Sequence, residues 1–210
     1  MKSSPRTVTI PFFALALAVV LGFAGVAAAA PQVGAPAPAF SGKTTDGGTI
    51  DLADLRGKTV VLEWTNHDCP YVRKHYGSGN MQALQKDATA DGTVWLSIIS
   101  SAPGRQGYVE PAEADELTEK RGASPSHVVL DPEGEIGRTY GARVTPHMYV
   151  IDPDGVLRYM GGIDDRPTTR PADVEGANNY VRAALAELKS GGQVSTPVAR
   201  PYGCTIKYGS

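Results

Sequence analysis

The chain holds two cysteines, Cys69 and Cys204, and the first stands where a thiol can be made reactive. Residues 59–76 read TVVLEWTNHDCPYVRKHY. Thr59 to Trp64 is an apolar, β-branched run of strand length. Asn66-His67-Asp68 breaks that run, and Pro70 suits the first position of a helix that Cys69 introduces. A sulfur at such a start meets free backbone N–H groups and the positive end of the helix dipole, which favour the nucleophilic thiolate. Its neighbours could tune it. A His67 imidazolium would lower the thiol pKa and an Asp68 carboxylate would raise it, although Asp68 equally suits helix capping. Glu63, if buried beneath the helix, could accept a proton; a solvated strand-end carboxylate is the alternative.

A second constellation is Arg143-Val144-Thr145-Pro146-His147, just before a hairpin. A Thr-Pro entering a strand beside a reactive cysteine predicts a cis peptide at Pro146. It would leave the Thr145 backbone free to pair with an extended peptide or small thiol. An ordinary trans proline at a strand start is the other reading. The histidines His67, His75 and His147, together with Cys69 and Cys204, raise a soft metal such as copper(I) or zinc. Their spacing fits no ligand template, so no metal is assigned, and the sequence calls for no cofactor. His127 reads as a strand-edge residue.

The elements that must position these groups follow the chain in order. Lys2 and Arg6, the apolar stretch Ile10 to Val26, and Ala27 to Ala30 make residues 1–29 an expected signal peptide, cut after Ala28 or Ala29. A retained anchor is the alternative, but the apolar stretch is short for a span. Export to a periplasm, or secretion, is therefore expected, with the membrane met only through the signal peptide. Losing Lys2 and Arg6 takes 20 basic residues to 18 against 22 acidic ones, a net charge of about −4. With no basic patch, nucleic acid is not an expected partner. Both cysteines survive processing, and an oxidising compartment invites their pairing.

Within the mature part, a hairpin about Asp46-Gly47-Gly48 and a helical turn at Asp51–Leu55 lead to the first core strand. The cysteine helix should stop or bend at Gly77-Ser78-Gly79-Asn80 and resume from Met81 to about Ala90. Thr93 to Ser100 is a second buried strand, parallel to the first. A surface helix (112–121), a short strand (128–130) and a short helix (135–140) follow. Then come a hairpin about Asp152-Pro153-Asp154-Gly155 and a helix over 172–189. The tail after Gln193 has no sustained periodicity. The order implies an α/β class: a four-stranded mixed sheet with helices on both faces.

The segments VGAPAPAF, DLADLRGKTVVLEW, CPYVRKHY, LDPEGEIGRTYGARVTPHMYVIDPDGVLRYMGGID and PYGCTIKY carry a resemblance. Together they resemble the thioredoxin-like superfamily, in its redoxin (AhpC/TSA-type) form. More narrowly, they are similar to a peroxiredoxin-like group with one cysteine at the first thioredoxin position. This implies a thioredoxin-like domain over 32–192, with a central mixed sheet and an N-terminal hairpin, and an irregular tail over 193–210 carrying Cys204. Two departures matter. Cys69-Pro70-Tyr71-Val72 lacks the second cysteine of Cys-x-x-Cys, so a self-contained dithiol at the helix start is excluded. Leu62 and Asn66 stand where peroxiredoxins resemble Pro-x-x-x-Thr-x-x-Cys.

Cys204 is then the one candidate for an intramolecular resolving thiol. From Ser190 an extended tail reaches roughly 45–50 Å, so distance does not exclude the pair. A redox-active pair, a static disulfide and two unpaired thiols all remain open. The resemblance implies an exported thiol-disulfide oxidoreductase with Cys69 and Cys204 as catalytic residues. Thr145, Pro146, Trp64 and Pro70 would position the partner, and Glu63 and His67 would serve proton transfer. Its partners would be protein or small-molecule thiols and disulfides. The alternatives are a thiol peroxidase acting on peroxides through a sulfenic acid, and a non-catalytic copper- or thiol-binding module.

Overall fold

The computed structural model describes residues 30–209, and the expected signal peptide, 1–29, lies outside them. The turn-rich start gives a hairpin, β1 (Ser41–Thr44) and β2 (Thr49–Asp51), then one 3₁₀ turn at Leu52–Leu55. Strand β3 (Val60–Trp64) is buried at every residue. It leads into helices α1 (Pro70–Gly77) and α2 (Asn80–Ala90). Gly79, at φ +74°, separates the two helices in a conformation that a residue with a side chain avoids. The expected break is therefore real.

Strand β4 (Val94–Ile99), helix α3 (Pro111–Lys120), strand β5 (His127–Leu130) and helix α4 (Glu135–Thr139) come next. Strands β6 (Val144–Thr145) and β7 (His147–Ile151) flank Pro146, and β8 (Leu157–Gly161) closes the hairpin. Helix α5 (Tyr180–Lys189) and a short strand β9 (Cys204–Thr205) finish the chain. The last long helix starts later than its periodicity suggests. Residues Pro171–Val174 form a separate 3₁₀ turn, and the Asn179 side chain caps α5 by accepting from the Arg182 amide at 2.9 Å.

The mixed sheet has seven strands instead of the expected four, in the order β2-β1-β5-β4-β3-β7-β8. Strands β5, β4 and β3 run parallel, while β7 and β1 join antiparallel at either side. The N-terminal hairpin extends the sheet through Lys43 opposite Leu130 and Thr44 opposite Val129. Side chains alternate along β3. Val60, Leu62 and Trp64 pack into one apolar core with Leu96, Ile98 and Tyr149. Val61 points the other way, into a core with Cys69, Val72, Met81, Leu84 and Val181.

The expected irregular tail is ordered, one anchor at a time. Met160 exchanges backbone hydrogen bonds with Pro197 and Ala199, and Ile206 is buried. The Tyr208 hydroxyl donates to the Ala142 carbonyl at 2.8 Å. Each anchor docks on a different element, so the tail shows no period in sequence. Among the described residues, no helix is long and apolar enough to cross a membrane.

Candidate functional site

The turn between β3 and α1 is held by its own polar groups. The Thr65 amide donates to the Ile98 carbonyl and the Cys69 amide to the Asn66 carbonyl. The Asn66 side chain accepts from the Asp68 amide at 2.9 Å. These bonds deliver Cys69 as the residue preceding the first helical turn, with Pro70 at its start. Cys69 is fully buried. Its Sγ donates to the Thr145 carbonyl at 3.0 Å. The Thr145–Pro146 peptide is cis, as the sequence predicts. The Thr145 carbonyl faces the sulfur directly.

The tail closes the other side. Strand β9 pairs antiparallel with β6, which sets Cys204 opposite Thr145 and Thr205 opposite Val144. The two thiols are brought together, and neither is in a disulfide. Burial, and then the neighbouring Cys69 sulfur, push the Cys204 thiol up to about 12. At neutral pH Cys204 therefore rests as a protonated thiol. Gly203 makes this approach feasible: a Cβ there would fall into the Thr145 carbonyl.

The remaining expected residues fall into distinct places. Glu63 is buried beneath the helix and is no solvated strand end. Its Oε1 accepts from the Tyr76 hydroxyl at 2.9 Å. Its Oε2 accepts from Gln85 Nε2 at 3.1 Å, Trp95 Nε1 at 2.8 Å and Ser97 Oγ at 3.1 Å. His67 Nε2 lies 3.4 Å from Asp68 Oδ2, and Arg73 Nη2 donates to Asp68 Oδ1 at 3.0 Å. Asp68 is thus an ion-pair partner and not the helix cap, which falls to Cys69. Pro70 is exposed at the rim. Trp64, expected to position a partner, is instead a core residue. It is fully buried, packs against Tyr140 and Tyr149, and donates to Ser100 Oγ at 3.0 Å. Alternation along β3 puts it on the face opposite Glu63.

A polar cluster beside the thiols went unread in the sequence. Helix α1 places Lys74 and His75 against Asp164, and the tail inserts Tyr202 between them. Lys74 Nζ lies 3.3 Å from Asp164 Oδ2 and donates to the Arg166 carbonyl at 2.6 Å. His75 Nε2 is 3.1 Å from the Tyr202 hydroxyl, which donates to Asp164 Oδ1. Burial lowers His75 to about 4, so its ring is neutral at pH 7. The Pro-Tyr-Gly-Cys run was the available signal, because a glycine beside a cysteine marks a close backbone approach. Among the described residues, no three His, Cys, Asp or Glu side chains cluster to hold a metal ion.

Comparison with known proteins agrees with this architecture. The model of the AhpC/TSA family matches residues 33–160. No curated protein matches the chain. A hypothetical protein from Sinorhizobium meliloti 1021 is 22% identical with a TM-score of 0.72, over 87% of this chain and 97% of that one. An uncharacterized conserved protein from Geobacillus kaustophilus is 26% identical with a TM-score of 0.70, over 85% and 93% of the two chains. A Chlorobium tepidum structure named for a thiol:disulfide interchange protein, DsbE, is 24% identical with a TM-score of 0.53, over 70% and 93%. The fold is thioredoxin-like.

Proposed function

The chain belongs to the AhpC/TSA family, and on that premise we propose that it is a thiol-disulfide oxidoreductase using Cys69 as nucleophile and Cys204 as resolving thiol. The observation that carries this reading is the register of β9 on β6, which holds Cys204 beside Cys69 across Thr145. The domain would be 32–192, the tail 193–210, and the protein would be exported after loss of 1–29.

In the reductive direction, the Cys69 thiolate attacks one sulfur of a partner disulfide. The partner's S–S bond breaks, its second sulfur leaves as a thiolate, and a mixed disulfide to Cys69 forms. Cys204 then loses its proton to the departing thiolate and attacks Cys69 Sγ. This frees the partner as a dithiol and leaves a Cys69–Cys204 disulfide. Two electrons have passed to the partner, and an external dithiol must restore the pair. The high pKa of Cys204 suits the order of the steps: held as a thiol, Cys204 does not compete with Cys69 for the partner disulfide in the first. The Thr145 carbonyl borders the reacting sulfur, and the Thr145–Pro146 backbone would hold the partner strand.

The test is insulin-disulfide reduction with a dithiol reductant, read beside intact mass. Cys69→Ser should abolish turnover. Cys204→Ser should accumulate a mixed disulfide at Cys69. Turnover persisting in Cys69→Ser would sink the reading.

A further inference from the structure

The tail occupies the place an extended partner would need. Cys69 is fully buried, and the free backbone of Thr145 is already paired with Cys204. Tyr202, just before β9, reaches His75 and Tyr71 of α1, while Cys204 lies beside Cys69 at the start of α1, with Gly203 pressed on the Thr145 carbonyl between them.

The recess that receives Tyr202 is chemically demanding. Lys74, His75 and Asp164 are 1%, 0% and 2% exposed. Burying an ammonium and a carboxylate costs desolvation that an apolar anchor would avoid. The tail has such an anchor nearby in Ile206, so strapping alone does not require the charges. What the charges add is selectivity for one group, a hydroxyl on an aromatic ring. The Tyr202 hydroxyl meets Asp164, His75 and, at 3.4 Å, Lys74, while Tyr71 packs edge-on with ring centroids 5.7 Å apart. An open cleft of about 590 Å³, lined by Asp164, Pro167, Tyr180, Arg200 and Tyr202, runs alongside and gives access.

We propose that the Lys74–His75–Asp164 recess is a substrate subsite for a tyrosine two residues before the partner's cysteine. The tail's Tyr202-Gly203-Cys204 is its tethered occupant. The partner class is an extended peptide carrying Tyr-Gly-Cys, which displaces β9 from β6 and places its own sulfur at Cys69. A peptide without the hydroxyl leaves Asp164 and His75 short of a partner and competes poorly with the tail. This subsite rests on the thiol-exchange reading.

The test uses the full chain as Gly203→Ala with Cys204→Ser. The new methyl disfavours the tail on β6, and Cys69 becomes the sole thiol. The probes are the peptide Ala-Arg-Pro-Tyr-Gly-Cys-Thr-Ile, activated as a mixed disulfide with 5-thio-2-nitrobenzoate, and its Tyr→Phe and Tyr→Ala forms. Attack by the Cys69 thiolate forms the Cys69–peptide disulfide and expels the coloured aryl thiolate. The tyrosine peptide should react at least about tenfold faster than either form. That preference, read as the ratio of the tyrosine-peptide rate to the alanine-peptide rate, should fall to about one in an added Asp164→Asn. Equal rates for all three peptides, or a tyrosine preference that survives Asp164→Asn, would overturn the subsite and leave exchange intact. No release from any peptide would overturn the exchange reading, and the subsite with it. If circular dichroism shows the double variant unfolded, Cys204→Ser alone is read by the same ranking and overturned by the same equality.

Discussion

Helix α1 contributes to two buried polar clusters, and they differ in what closes them. Through Tyr76 it joins the nest around Glu63, where a carboxylate with no cation within bonding distance among the described residues takes four neutral donors from α1, α2 and β4. Through Lys74 and His75 it joins the Asp164 cluster, where an ammonium faces a carboxylate and a tail hydroxyl supplies the last donor. Every member of the nest belongs to the central fold, so it opens only when sheet and helices part. The second cluster has one removable member. The nest is a support for the strand and helix that present Cys69, whereas the Asp164 cluster is a support that the tail completes.

The largest way to break this contrast is to remove the anion from the second cluster. Asp164→Ala leaves Lys74 buried without its counter-charge and should cost about 3–5 kcal/mol in chemical denaturation. Ser97→Ala, which takes one of four donors from Glu63, should cost only about 1 kcal/mol. If the two costs are equal, the nest is as dependent on single partners as the ion pair.

Acid separates the clusters next, because only the second contains a histidine. His75 titrates at about 4 in the folded protein against 6.5 ordinarily, since burial disfavours its charged form. As pH falls below 6.5 the unfolded chain takes up this proton and the folded chain does not. Stability therefore falls between pH 6.5 and 4 and levels off below. The loss from pH 6.5 to 5 is roughly 2 kcal/mol for this one ring. His147, buried at the head of β7 and lowered to about 3, adds a loss of like size and sign. His75→Asn should remove about half of the pH dependence of the unfolding free energy. An unchanged slope would show that the ring is protonated in the fold.

Glu63→Gln probes the nest itself. Gln85, Trp95 and Ser97 all aim donors at one oxygen, and Tyr76 aims one at the other. An amide nitrogen turned one way meets the Trp95 and Gln85 donors, and turned the other it forces the Tyr76 hydroxyl from donor to acceptor. The expected cost is about 1–3 kcal/mol in the global unfolding midpoint. A midpoint within error of the parent would mean that the nest accepts an amide as readily as a carboxylate.

The two clusters were not equally legible in the sequence. Thr59–Tyr76 is local: a continuous apolar run, a polar break and a proline specify strand, turn and helix start within a few residues. The same run leaves Glu63 open between burial beneath the helix and a solvated strand end, and the structure buries it. Trp64 misled because the side on which a residue falls depends on register within the sheet, and a run apolar throughout carries no alternation to read. The tail was read only through Cys204. Its docking depends on pairs such as Tyr202 with Asp164 and Tyr208 with Ala142, separated by 38 and 66 positions. Single contacts at such range leave no periodic trace. In the sequence His75 reads only as a possible metal ligand and Lys74 carries no signal, because the partner that gathers them, Asp164, lies some 90 positions along the chain.

The smallest expected effect tests whether the tail's share of its cluster is separable. Tyr202→Phe keeps the ring, its edge-on contact with Tyr71 and its packing, and removes only the hydroxyl. Asp164 still accepts from Lys74 and from the Arg166 amide at 2.9 Å. No carboxylate is stranded, so the cost is about 1 kcal/mol. If that cost falls on tail opening alone, global unfolding by denaturant barely moves, while alkylation of Cys69 under native conditions quickens roughly fivefold. Glu63→Gln should do the reverse, lowering the midpoint without a preferential gain in Cys69 labelling. Matched changes in both measurements for both variants would mean that tail and domain open as one unit. The removable member would then be no more removable than Glu63.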